Sequence, residues 1–276
     1  MRLSLVVGSL VVPAAALAQP VPEPATAPGF VQIDRYDATS VAGGDLTYIA
    51  LDGSDDTVVR FQLGGRFVDP ASRFGGYINL PITYASGNNQ SLTGIGNLEV
   101  GGLMIPKLGS GSTTLALHAG ITLPTGSDGD DAFANLFGAF ARPQDLYLAL
   151  PGATTVRIGA SPMFRSGNVF GRIDLGLDIN LDVKGSDEKA NPLMHLNAGV
   201  GVDLGTVALM GELSNVYVFS GDQGGDIILS PINVFAISAR MHSGRAMPYV
   251  SLVVPLDDDS GEVIDFGLTL GVEARL

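Results

Sequence analysis

The stretch Val169-Phe-Gly-Arg-Ile-Asp-Leu-Gly-Leu-Asp-Ile-Asn-Leu-Asp-Val183 decides the fold. Its odd-numbered positions are apolar or Gly, whereas most of its even-numbered positions carry charged or polar side chains. Because successive side chains of a β-strand point to opposite faces, the alternation predicts a strand with one apolar and one polar face. Strands of globular proteins usually run about 3–10 residues, whereas about 9–11 suffice to cross a bilayer. The length of this stretch therefore favours a membrane-spanning strand.

The same two-residue period recurs along the chain. We expect twelve strands, at 45–51, 57–68, 73–84, 93–105, 112–124, 155–165, 169–183, 192–204, 206–219, 230–241, 246–255 and 262–275. The two faces are least distinct in 45–51, 230–241 and 246–255, so the expected strand number is twelve, give or take two. No long apolar helical run follows the N-terminus, and only a closed barrel then satisfies the backbone hydrogen bonds of a chain that crosses a bilayer.

The connections between the predicted strands are of two alternating kinds. One kind is short and nearly free of acidic residues, at 69–72, 106–111, 166–168, 205 and 242–246. The other is mostly longer and acidic, at 52–56, 85–92, 124–154, 184–191, 220–229 and 256–262. Short turns on one side and long loops on the other are typical of outer-membrane barrels. The sequence therefore predicts an all-β fold, a transmembrane antiparallel up-and-down β-barrel of about 12 strands, with both ends on the periplasmic side.

The N-terminus predicts export. Residues 1–18 combine a positive start, an apolar stretch and the small-x-small pattern Ala16-Leu17-Ala18, as in a secretory signal peptide. Residues 19–44 form a Pro-rich segment, and residues 45–276 the outer-membrane β-barrel. Within the Pro-rich segment, Phe30 to Tyr36 alternate weakly, which fits either an extra strand or an arm lining the lumen. The expected location is the outer membrane of a Gram-negative cell, with lipid, lipopolysaccharide and the barrel assembly machinery as partners.

Composition excludes several classes of function. Lys and Arg total 15 against 28 Asp and Glu, a net charge of −13, which does not suit a nucleic-acid partner. The chain has no Cys, which excludes disulfide scaffolds, zinc–thiolate sites and catalytic thiols. The acidic loops match no full calcium-binding pattern, so we read them as solvated, or as contacts for ions that bridge lipopolysaccharide. We assign no metal ligands and no cofactor.

Charged and His side chains on the predicted inner face are the candidates for function. Opposing charges inside a barrel set the selectivity of a pore, or they pair and fill a narrow lumen. Residues 132–141 are the one apolar stretch inside a loop, with helical spacing, and fit a constriction at the barrel mouth or a strand continued above the membrane. The pore-lining candidates are Arg60, Arg66, Glu99, His118, Arg157, Arg165, Arg172, Asp174, Asp178, Asp182, His195, Asp203, Glu212, Asp265 and Glu273.

Two segments carry a family resemblance. Gly94-Ile-Gly-Asn-Leu-Glu-Val-Gly101, followed by Leu115-Ala-Leu-His-Ala-Gly-Ile-Thr-Leu-Pro-Thr-Gly126, resembles the signature hairpin of the outer-membrane transporters named for the meta-pathway of phenol degradation. Asn97 stands where that family usually has Asp. The resemblance implies a barrel over most of the mature chain and a porin-like pore for small solutes, apolar or aromatic ones among them.

The predicted function is thus transport, an outer-membrane channel that passes small solutes, without catalytic residues. One alternative is a structural barrel, or one that adheres through its acidic loops. A second is a hydrolase inside the barrel, built from Ser161, His118 or His195, and Asp203 or Glu212, although no Gly-x-Ser-x-Gly elbow occurs. A third is a secreted soluble all-β protein.

Overall fold

The structure is a computed structural model that describes residues 29–33, 37–87, 90–108, 112–183, 192–221, 227–242 and 244–276. The expected signal peptide, 1–18, lies outside the described residues, as does the side chain of Asp182. The strands are β1 (Val41–Leu51), β2 (Thr57–Val68), β3 (Phe74–Gly87), β4 (Gln90–Ile95), β5 (Leu98–Met104), β6 (Lys107–Leu108), β7 (Thr113–Leu123), β8 (Ala153–Ser166), β9 (Val169–Val183), β10 (Leu193–Asp203), β11 (Val207–Gly221), β12 (Ile227–Met241), β13 (Ala246–Pro255) and β14 (Ile264–Arg275).

These strands close into a barrel. Neighbouring strands of the wall pair antiparallel, and β1 pairs with both β2 and β14, which joins the two ends of the sheet. The strands β4 and β5 both pair with β3, so they form one wall strand interrupted at Gly96 and Asn97. The short β6 pairs with β7 on the same side as β5. The wall thus has twelve strands, and all twelve predicted segments are confirmed as strands.

Two loops are shorter than the sequence suggests. The pairs Ser86↔Ser91 and Gly87↔Gln90 continue the ladder of β3 and β4 through the expected loop 85–92. Likewise β11 and β12 remain paired as far as Gly221↔Ile227, inside the expected loop 220–229. Ladder hydrogen bonds do not depend on apolar side chains, so strands continue where the apolar alternation ends. Periodicity therefore marks the apolar band of the wall rather than the strand ends.

The two faces of β9 lie in different environments. Leu175 and Leu177 on the outer face are 48% and 39% exposed, whereas Asp174 and Asp178 on the inner face are 3% and 1% exposed. Apolar side chains on the other strands continue this exposed outer band, among them Leu46, Leu63, Ile158, Leu252 and Leu268. An apolar exterior around a buried polar interior is the arrangement that spanning barrels have.

The connection between β7 and β8 folds into the lumen. This segment, residues 124–152, is called the insert below; it contains α1 (Asp130–Phe140), a 3₁₀ turn (Pro143–Asp145) and α2 (Leu146–Ala149). Phe137 and Phe140 of α1 pack with the inward-facing Ile49, Val58 and Ile264. Of the two structures that residues 132–141 allowed, the helical constriction is the one the structure shows.

The N-terminal residues Phe30 to Ile33, here called the arm, also lie inside the barrel. All four are buried, and Phe30 packs on Phe170 with ring centroids 5.2 Å apart. Of the two alternatives for this segment, the lumen-lining arm holds for these four residues, while Tyr36 lies outside the described part. The wall itself starts at Val41, inside the segment assigned to 19–44.

A short helix, α3 (Asp258–Gly261), lies in the connection between β13 and β14. In the described part of the chain, no helix is long and apolar enough to span a membrane.

Candidate functional site in the barrel lumen

Two ion pairs fasten the insert to the wall. Arg60 of β2 donates to Asp145 at 2.7 Å between Nη2 and Oδ2. Arg142 of the insert donates to Asp45 of β1 at 3.2 Å, and its Nε lies 3.4 Å from Asp145. All four side chains are nearly or fully buried. Charges on the wall thus bind the insert, instead of facing one another across an empty lumen.

Arg157 of β8 joins the insert to β9. Its Nε donates to Asp178 Oδ1 at 2.7 Å, while Nη2 donates to the backbone oxygen of Gln144 at 2.6 Å. Its Nη1 donates to the Tyr147 hydroxyl at 2.8 Å, and the guanidinium lies 3.8 Å from the centre of that ring. The planar guanidinium has five N–H donors, which suits it to three acceptors at once.

Glu99 of β5 accepts hydrogen bonds from three side chains. The Tyr77 hydroxyl donates at 3.0 Å, Asn79 Nδ2 at 2.9 Å and the Tyr147 hydroxyl of the insert at 2.7 Å. Tyr77 lies against Gly101, since a Cβ there would come within 2.3 Å of its ring. Such in-strand glycines give inward rings room to lie flat on the wall, rather than only bending the strands.

The arm is held through its backbone. The Glu212 carboxylate of β11 accepts the amides of Val31, Gln32 and Ile33 at 3.2, 2.7 and 3.1 Å. Arg240 of β12 donates to the Phe30 carbonyl oxygen at 3.0 Å. These bonds satisfy backbone groups that neither helix nor sheet satisfies, which explains how an irregular segment is buried here.

The insert reaches the arm as well. Arg142 Nη2 donates to the Val31 carbonyl oxygen at 3.2 Å, and Gln144 Nε2 donates to that of Gln32. Arm, insert and wall therefore form one hydrogen-bonded unit.

The first segment of the family resemblance, residues 94–101, contacts and holds the insert. Asn97 accepts the Gly126 amide at 2.9 Å and donates from Nδ2 to the Leu150 carbonyl oxygen at 2.7 Å, so one side chain ties both ends of the insert. A Cβ at Gly94 would lie 2.3 Å from the Asp131 oxygen, and one at Gly96 would lie 2.5 Å from Pro81. The Gly-x-Gly-Asn pattern is therefore needed where the insert crosses the interrupted wall strand.

A small polar cavity remains in the lumen between the wall and the insert. Its volume is about 50 Å³, room for a few water molecules. Gly43 and Gly64 line it on the wall side, and its polar lining comes from Asp45, Gln62, Arg66, Asn79, Arg142, Tyr249 and Glu273.

Two histidines and an aspartate meet further round the wall. His118 Nε2 lies 3.8 Å from Asp174 Oδ1, and His195 Nε2 lies 3.4 Å from Asp174 Oδ2. The imidazole rings are stacked, with centroids 6.3 Å apart. These three buried residues are a group that can hold a metal ion, although no metal ligand was expected from the sequence.

The other candidates occupy varied positions. Arg66 lies 3.8 Å from Asp37. Arg165 pairs with Asp203 at 2.8 Å near the short turns, where both side chains are partly buried. Asp265 is exposed near the other end of the barrel, away from the buried polar residues that contact the insert and the arm. The buried candidates in the network are Arg60, Glu99, His118, Arg157, Arg172, Asp174, Asp178, His195 and Glu212.

The residues of the hydrolase alternative have other partners. Ser161 Oγ donates to Asp174 Oδ1 at 2.9 Å and accepts from Arg172 Nε at 2.8 Å. Asp203 pairs with Arg165, and Glu212 binds the arm. The geometry therefore does not favour that alternative.

Several of the residues that hold the insert and the arm in the lumen were not predicted from the sequence. Asp45 and Arg240 lie on strands whose faces the alternation separates poorly; Arg240 pairs with Glu273 at 2.7 Å. The insert residues Arg142 and Asp145 follow the apolar stretch 132–141, and Arg142 is the one cationic residue of the acidic loop 124–154, which was the available signal.

No family model matches the chain, and no curated protein matches it in sequence. Among solved structures, an outer membrane channel from Pseudomonas putida F1 has a TM-score of 0.63 at 13% identity, over 88% of this chain and 97% of that chain. The fold is that of outer-membrane β-barrels. The NanC porin follows with a TM-score of 0.52 at 9% identity, over 86% and 100% of the two chains.

A third similar structure is the translocator domain of the autotransporter NalP from Neisseria meningitidis. Its TM-score is 0.50 at 10% identity, over 87% of this chain and 90% of that chain. The expected likeness to an outer-membrane transporter family is confirmed at the level of the fold. The three neighbours are a channel, a porin and a translocator domain, not enzymes.

Proposed function

We propose that this barrel lies in the outer membrane and passes small solutes along a polar route beside the insert. The observation that carries the proposal is how the lumen is filled. The insert is held by ion pairs, Arg60 to Asp145 and Arg142 to Asp45, rather than by a continuous apolar core, and a polar cavity lies beside it. A polar interior is common to spanning barrels, both those with a water-filled channel and those partly filled by a loop or helix.

The insert is the gate in this proposal. Its apolar contacts are concentrated in two clusters, Phe137 and Phe140 at one end and Tyr147 with Leu148 at the other. A displacement of the insert away from β1–β3 would widen the cavity without breaking the wall ladder. The wall charges that then face the route, Asp45 and Arg60 among them, are of both signs, so we expect weak ion selectivity.

The solute is small and polar in this proposal, because the cavity is lined by carboxylate, guanidinium and amide groups. Apolar or aromatic solutes are implied only by the family resemblance. The aromatic surfaces that such a solute would meet at the cavity are Tyr77 and Tyr249. We assign no catalytic step to the barrel; many of its interior side chains, Arg60, Arg157 and Glu212 among them, hold the insert or the arm.

A reversible lock tests the gate. A Cβ at Gly138 of α1 would lie 2.6 Å from Thr83 Oγ1 of β3, so Thr83→Cys with Gly138→Cys places two thiols within bonding reach. The chain has no other cysteine, so this pair alone can bridge. Swelling of liposomes in small sugars should be slow when the pair is oxidised and rise several-fold on reduction.

The single variant Thr83→Cys is the matched control. Liposomes that contain it should swell at the same rate under oxidising and reducing conditions. Folding of each sample is checked by mobility on an unheated detergent gel. A folded wild-type barrel that swells liposomes no faster than empty vesicles contradicts the channel. Equal swelling in both redox states of the locked pair contradicts the gate.

A further inference from the structure

We propose that His118, Asp174 and His195 form a binding site for one divalent transition-metal ion, with Zn²⁺ as the reference. The site lies on the inner face of β7, β9 and β10, and all three side chains are buried. The proposal does not depend on the channel function, because all three ligands belong to strands of the wall and none belongs to the insert.

The distances suit such an ion. One ligand atom from each residue can be chosen so that all three lie within 4.8 Å of one another. Zinc bonds of about 2.0–2.2 Å to nitrogen and oxygen place tetrahedral ligand atoms about 3.3 Å apart. The distances of 3.4 Å from His195 Nε2 to Asp174 Oδ2 and 3.8 Å from His118 Nε2 to Asp174 Oδ1 are close to that spacing, and side-chain rotations would bring one Asp174 oxygen and both Nε2 atoms around a single ion.

Two glycines open the space between the rings. Across the wall, His118 pairs with Gly159, Gly159 with Gly176, and Gly176 with His195, which gives a His-Gly-Gly-His row over four strands. A Cβ at Gly159 would lie 2.3 Å from His118 Nε2, and one at Gly176 would lie 2.4 Å from His195 Nε2. Each imidazole thus leans over the neighbouring glycine, and both Nε2 atoms point towards Asp174.

The surroundings orient the ligands. Asp178 Oδ2 lies 3.6 Å from His195 Nδ1, the position of the carboxylate that usually orients a metal-bound histidine and leaves Nε2 free to bind. Among the described residues, neither ring nitrogen of His195 has a hydrogen bond of normal geometry. Ser161 and Asn197 donate to the two oxygens of Asp174 at 2.9 and 3.1 Å and fix its orientation.

The nearby charges are compatible with a bound cation. Arg157 is paired with Asp178, and Arg172 reaches Asp174 through the Ser161 hydroxyl. Two imidazoles and one carboxylate are ligands that Zn²⁺, Cu²⁺ and Ni²⁺ prefer, whereas Mg²⁺ and Ca²⁺ prefer oxygen alone. Three protein ligands leave a fourth position for water or for a solute in the lumen.

The test uses the untagged full-length mature barrel, refolded in detergent without metal. After dialysis against Zn²⁺, we expect one zinc per chain by elemental analysis. His118→Gln and His195→Gln should each weaken binding at least tenfold, and Asp178→Asn by 10–100-fold, as for partners of metal ligands. The matched control is His242→Gln, which removes the third histidine, in the turn after β12, and should leave binding unchanged.

A spectroscopic measurement on the wild-type barrel covers the case in which the histidine variants do not fold. Bound Cu²⁺ should give an electron paramagnetic resonance spectrum with splitting from two ring nitrogens. Absence of stoichiometric Zn²⁺ in the folded wild type overturns the proposal. So does retention of binding by a folded His195→Gln variant, or a copper spectrum without nitrogen splitting.

Discussion

The buried pair of Arg157 and Asp178 gives the sharpest energetic prediction. Both side chains are no more than 2% exposed, with Nε and Oδ1 2.7 Å apart. Removing one partner of a buried ion pair costs about 3–5 kcal/mol, because the other charge stays buried without compensation. In Asp178→Asn, Arg157 keeps its bonds to the Gln144 carbonyl oxygen and the Tyr147 hydroxyl. We therefore expect a loss at the lower end, about 3 kcal/mol.

The reverse change, Arg157→Gln, leaves the Asp178 carboxylate beside His195 and removes the link to the insert. We expect a loss of about 4 kcal/mol for it. The double variant has no stranded charge, so its loss should fall short of the sum of the singles by at least about 2 kcal/mol.

Urea unfolding of the barrel in lipid vesicles measures these losses. The chain has no Trp, so the folded fraction is followed by circular dichroism and by mobility on unheated detergent gels. Strictly additive losses, or a loss under about 1 kcal/mol in both single variants, would refute the reasoning that this pair is buried and mutually neutralised.

Three further outcomes follow from the two faces of the wall and from its polar network. Leu177→Arg places a charge on the lipid face and should destabilise the folded barrel by about 2–4 kcal/mol near the bilayer midplane. We expect a lower yield of heat-modifiable barrel than for the control Leu177→Phe. Equal yields of the two variants would mean that this face does not meet lipid. Glu212→Gln weakens the three amide contacts to the arm and should raise protease sensitivity within 29–33, whereas unchanged sensitivity would show that the carboxylate does not hold it. A tag placed in 184–191 should be reached by antibody on intact cells and one in 242–246 should not, and the opposite labelling would invert the topology.

The sequence predicted the wall well because its signal is local. Alternation along β9 depends only on which face meets lipid, and that face must be apolar at every second residue. The same reasoning found the inward positions of Arg157 and Glu212. The alternation did not separate the two faces of β1 and β12, because small and polar side chains occur on both. The inward positions of Asp45 and Arg240 were therefore missed.

The filled lumen could not be derived in the same way. The arm and the insert contact wall residues far away in the chain; Gln32 and Glu212, for example, are 180 positions apart. Such contacts leave no period in the sequence. The filled lumen also decides the effect of a substitution at Asp178. Asp178→Arg would be tolerated in a water-filled lumen, whereas in this structure it sets a second guanidinium group beside Arg157 in a buried site and should prevent folding.

Single-channel recording in a planar bilayer tests the central claim most directly. The wild-type barrel should give small, discrete conductance steps with weak ion selectivity, and Asp145→Asn together with Arg142→Gln, which remove both ion pairs of the insert, should enlarge them. Well-folded wild-type and variant barrels that show no steps above the bare membrane would contradict the account.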